Sequence, residues 1–142
     1  MIVERTLELA AAPAAVWPWV SEPEKLARWI TDAARLDARP AGPLAFGSTL
    51  VVHLPRNAPL EARVERVDPG HALVLRARGL PSDLEVVLSF TLQGHGSGTL
   101  LELRAETELT GLMIFAEKMI SSKAQAKLMV WGENLRALVA AG

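Results

Sequence analysis

The C-terminal stretch "TGLMIFAEKMISSKAQAKLMVWGENLRALVAAG" carries its apolar residues at steps of three and four. Met113, Ile120, Ala124, Leu128, Trp131, Leu135 and Leu138 fall on one stripe, which predicts a long amphipathic helix. Gly132 lies inside that helix, read as off the stripe, at a cost of about 1 kcal/mol relative to Ala. A helix of this kind folds only if something covers the stripe, so the rest of the chain must supply an apolar face.

The preceding residues have the period to do so. Val3, Leu7 and Leu9 alternate with Glu4, Thr6 and Glu8, as in a half-buried strand. From about residue 34 to 108 the pattern is strand and turn. "STLVVHLP", "LEARVERVD", "HALVLRARG", "LEVVLSFTL" and "TLLELRAETEL" read as strands. "ARPAGPLAFG", "PRNAP", "DPG", "GLPSD" and "GHGSG" read as connections. Val86, Leu88, Phe90 and Leu92 alternate with Glu85, Val87, Ser89 and Thr91. One sheet face is therefore apolar and the other polar, as in an antiparallel sheet covered on one side.

Between the first strand and the rest stand two short helices. Pro13 suits the first position of one. Pro18 lacks the N–H that would bond back to Ala14, so it is expected to kink or end that helix. "SEPEKLARW" starts another, with Ser21 as its cap and Pro23 just inside. The order predicts an α+β helix-grip architecture: a curved antiparallel sheet of about seven strands around the C-terminal helix, one domain over 1–142. Incomplete contact between helix and sheet would leave a cavity.

Composition excludes several functions. The 15 Lys and Arg balance 16 Asp and Glu with no basic face, which argues against nucleic acid. There is no cysteine, so disulfides, thiolate metal sites and cysteine catalysis are excluded. His53, His71 and His95 are scattered, and neither a metal nor another cofactor is expected. "MIVERTLELA" lacks a signal-peptide apolar block, and no apolar run reaches the ~20 residues of a membrane span. A cytoplasmic protein is expected.

The order of these pieces resembles the START/Bet v 1-like superfamily, also called SRPBCC or polyketide cyclase/dehydrase-like. The resemblance rests on "APAAVWPWVSEPEKLARW", "VERVDPGHALVL" and "VLSFTLQGHGSGTLLEL". "LTGLMIFAEKMI…LMVWGENLRALV" is also similar to the terminal helix of the superfamily branch associated with carbon-monoxide dehydrogenase. The resemblance implies the helix-grip fold and leaves chemistry open, since this fold hosts many functions. It also points to Trp29 as the tryptophan that reaches the cavity. Trp17 and Trp19, two apart on one helix, cannot share a face.

Inward strand positions Val64, Leu75, Leu88, Phe90 and Leu103, with Met113, Phe115 and Ile120 at the start of the long helix, make up the expected pocket. Glu117 falls on the helix's apolar stripe, four after Met113 and three before Ile120. It is read either as a cavity carboxylate paired with Arg66 or Arg5, or as a solvated group at the mouth; burial without a partner is costly. A bulge near "VERVDP" would turn Arg66 outward. Lys118, Lys123 and Lys127 read as a solvated face. Binding of a small hydrophobic molecule is the expected function. The alternatives are a cyclase or dehydratase using Glu117 as acid or base, and a protein-interaction module of the chaperone-activator type. A homodimer is compatible with any of them.

Overall fold

The computed structural model describes residues 1–78 and 84–141. The "GLPSD" turn lies outside the described residues. Strand β1 (Ile2–Leu9) is followed by helices α1 (Pro13–Ser21) and α2 (Pro23–Leu26). Six strands follow: β2 (Arg35–Arg39), β3 (Thr49–His53), β4 (Leu60–Asp68), β5 (Ala72–Arg78), β6 (Glu85–His95) and β7 (Gly98–Thr107). A 3-10 turn, Gly111–Ala116, leads into the long helix α3 (Glu117–Ala141). The seven strands form one antiparallel sheet in the order β1-β7-β6-β5-β4-β3-β2. This is the α+β, helix-grip-like arrangement expected from the order of periods.

The alternation in β6 and β7 sets the core. Phe90, Leu92, Leu101 and Leu103 are buried on the helix-facing side. The opposite face is a lattice of charges in which Arg76 bonds both Glu65 and Glu85. "GHGSG" is the hairpin turn between β6 and β7, with His95 paired to Gly98 and Gly96 at φ 60°.

Three local expectations are corrected. Of the two outcomes expected at Pro18, an end to the helix does not occur: α1 runs on to Ser21, because losing one bond back to Ala14 does not outweigh the packing of Val16 and Val20, both fully buried. Ser21 does not cap α2. It ends α1, and its hydroxyl donates to the Trp17 carbonyl at 3.0 Å; Glu22 occupies the cap position. The start of "ARPAGPLAFG" belongs to edge strand β2, where Leu36 is buried and Arg35, Asp37 and Arg39 point to the charged side. Its five residues are too few for a clear period-two signal.

A further correction concerns Gly132. The buried positions of α3 are Leu128, Gly132, Leu135 and Val139, so Gly132 lies on the gripped face rather than off it. The reason is Arg5 of β1, whose side chain is only 10% exposed. Arg5 donates to the backbone carbonyls of Met129 and Leu128, and its other terminal nitrogen lies 3.5 Å from Glu133. A Cβ on residue 132 would overlap Arg5 Nη1 and sit 2.9 Å from its Cζ. Glycine here makes room for a guanidinium between sheet and helix. Gln125 and Arg136 donate to the carbonyls of Glu4 and Glu8, so α3 also covers the edge of β1.

Candidate functional site

A cavity of about 200 Å³ lies between the sheet and the elements that cover it. The floor is built from alternate residues of five strands: Leu36 of β2, Leu50 and Val52 of β3, Ala62 of β4, Leu75 and Ala77 of β5, and Val86 and Leu88 of β6. They face one side because successive strand residues point to opposite faces. Leu26 of α2 and the following Ile30 and Ala33 form one wall. From α3, Trp131 contributes to the lining. Leu54 lies just beyond β3.

Asp32 is the one charged residue on this wall among the described residues. Its carboxylate accepts from the Trp131 indole Nε1 at 2.8 Å and from the Lys127 ammonium. This clasp ties the segment after α2 to α3. Partial desolvation disfavours the Asp32 carboxylate, but the hydrogen bonds from Lys127 and Trp131 and the charge of Lys127 outweigh it. The group is held below the ordinary carboxylate pKa. Asn134 adds a second tie, donating to the Trp29 carbonyl at 3.2 Å.

The residues named from sequence divide into three groups. Leu75 and Leu88 stand on the cavity wall. Val64, Phe90 and Leu103 are buried in the core. Trp29 is core as well, at 0% exposure: its Nε1 donates to the Trp19 carbonyl at 2.8 Å, and its ring meets Phe90 edge-on at 5.8 Å. The tryptophan at the cavity is therefore Trp131, not Trp29. Trp19 is half-buried, with Lys25 and Arg28 over its ring at 5.4 and 5.1 Å.

The third group lies away from the cavity. Glu117 is exposed at the first turn of α3, and neither proposed arginine meets it. Arg5 is engaged with Glu133 and the α3 carbonyls. Arg66 is exposed beside Asp68, because the register of β4 shifts between Val64 and Arg66. Phe115 is 87% and Leu112 85% exposed, while Met113 and Ile120 are half-buried. The stripe fails here for a physical reason. Residues 111–116 form a 3-10 turn with about 3.0 residues per turn, so the α-helical period does not carry back through them. The firm grip on α3 begins only at Leu128.

Sequence reasoning missed Asp32 and Lys127. Asp32 looks like any turn aspartate, and Lys127 reads as part of the solvated face with Lys118 and Lys123. Trp131, by contrast, lies on the apolar stripe. His53 projects to the charged side, where Nε2 lies 2.8 Å from Asp37. Among the described residues there is no cluster of three or more potential metal-ligating side chains, and no helix is long and apolar enough to cross a membrane.

An antiparallel sheet gripping a terminal helix over an apolar cavity defines a helix-grip-like α+β protein. The chain belongs to the polyketide cyclase/dehydrase and lipid transport family, which matches residues 1–139. No curated protein matches the sequence. Among solved structures it is similar to protein MLL2253 from Mesorhizobium loti, at TM-score 0.80 and 19% identity, covering 99% of this chain and 97% of that one. It is also similar to DynU16, a protein of the dynemicin biosynthetic locus, at TM-score 0.77 and 19% identity over 98% of this chain; this chain spans only 47% of DynU16. The Aha1 dimer from Colwellia psychrerythraea is similar at TM-score 0.66 and 15% identity, with 96% of each chain covered. At these identities the likeness concerns the fold.

Proposed function

We propose that this protein binds a small hydrophobic molecule in the cavity between sheet and helix. The observation that carries the reading is the cavity itself: five strands, α2 and α3 converge on about 200 Å³ whose wall is aliphatic and aromatic apart from Asp32. Membership of a family described by lipid transport as well as cyclase and dehydrase activity supports an apolar ligand. Binding is favoured over turnover because Glu117 is exposed and outside the cavity wall, and the carboxylate that does stand on it, Asp32, is engaged by Lys127 and Trp131. Acid–base catalysis needs a group within reach of the reacting atoms.

Titration with propylbenzene, followed by NMR, tests the proposal. Shifts should concentrate on the Trp131 indole and the methyls of Leu50, Leu75 and Leu88. Leu88→Phe, which fills the cavity, should abolish them. Shifts centred elsewhere would remove the reading.

A second reading, an interaction module, is supported by one observation. Leu112, Ile114, Phe115 and Met119 are exposed together around the start of α3. Sedimentation velocity over a concentration series tests the self-association form of it. Association lost in Phe115→Ser supports it; a monomer at every concentration removes it.

A further inference from the structure

Resting on the binding reading above, we propose that the cavity takes a single-ring or short-chain alcohol or phenol, its hydrocarbon inside and its hydroxyl at the rim between Asp32 and Lys127. Size comes from the volume. An apolar cavity of about 150 Å³ holds benzene, so 200 Å³ leaves room for a ring with a few more carbons. A polycyclic molecule or a full-length fatty chain exceeds it.

The polar end follows from the hydrogen-bonding capacity left over at the rim. One carboxylate oxygen of Asp32 accepts from Trp131 and the other from Lys127. An ionised carboxylate has about four lone-pair sites and an ammonium three protons, so both keep capacity. Both side chains are partly exposed, 38% for Asp32 and 54% for Lys127; Asp32 stands on the cavity wall and Lys127 is bonded to it. A hydroxyl matches this pair because it can donate a hydrogen bond to Asp32 and accept one from Lys127 at once. A carboxylate does not match. Asp32 repels it, and the charge of Lys127 is already compensated. A wholly apolar molecule fills the interior but leaves the rim unused.

Calorimetric titration with 4-propylphenol, propylbenzene, 4-propylbenzoate and palmitate separates the possibilities. The phenol should bind best, about tenfold more tightly than propylbenzene, as expected for one hydrogen bond to a charged group. The benzoate and palmitate should bind more weakly than propylbenzene. Asp32→Ala should erase the preference for the phenol while propylbenzene still binds. Lys127→Met, at a more exposed position, should reduce the preference without disturbing the fold. Equal affinity for phenol and propylbenzene would overturn the assignment of the rim while the binding reading stands. Tightest binding by palmitate would overturn the size class. Failure of all four to bind would instead remove the binding reading itself.

Discussion

Replacing Gly132 with alanine separates local helix preference from tertiary packing. In an exposed helix interior, Gly→Ala stabilises by about 1 kcal/mol. Here the added Cβ overlaps the Arg5 guanidinium, which is held by two backbone carbonyls and lies near Glu133. Hydrogen bonds from a charged donor contribute about 1.5–3 kcal/mol, and a guanidinium displaced into a mostly buried site loses at least one of them. With a loss of about 2.5 kcal/mol against a gain of about 1, Gly132→Ala should destabilise by about 1–2 kcal/mol. For a chain of this size that lowers Tm by about 3–8 °C. The assay is a double-mutant cycle in urea. In an Arg5→Met background the obstruction shrinks, and Gly132→Ala should turn stabilising by about 1 kcal/mol. The coupling is then about 2.5 kcal/mol, within the range for residues in direct contact. An equal effect of Gly132→Ala in both backgrounds would refute the reasoning, and so would a stabilised single variant.

The remaining predictions concern the clasp, the buried tryptophan and the exposed tip. Because the pKa of Asp32 is lowered on folding, its contribution to stability is complete above the unfolded value of about 3.8 and is lost as pH falls through the lower folded value. Urea midpoints measured from pH 6 to pH 2.5 should therefore fall less steeply for Asp32→Asn than for the parent chain. Trp29→Phe leaves the Trp19 carbonyl without its indole donor and should cost about 1–3 kcal/mol by denaturant unfolding. Leu112→Ser and Phe115→Ser remove side chains that bury little, so thermal melts should show changes within about 0.5 kcal/mol.

Local patterning alone settles most element types and the apolar face of the sheet; the short strand β2 and the 3-10 turn before α3 escape it. Periods of two and of three to four are local consequences of strand and helix geometry, and turn chemistry marks their ends. Those signals suffice for the strand–helix order, for placing Leu75 and Leu88 on the helix-facing side, and for the hairpin at "GHGSG". They fail where a local rule meets a neighbour distant in sequence. Gly132 looks like a tolerated defect until Arg5, far away along the chain, proves to occupy its space. Asp32 becomes part of the cavity rim only when the segment after α2 comes against Lys127 and Trp131. Glu117 falls on a stripe drawn through a turn whose period is not α-helical, and only the packing of α3 shows where the grip begins. Periodicity reports which face of an element is buried; which side chains meet across that face depends on register and on how far the elements overlap, and those are settled only when the whole chain packs together.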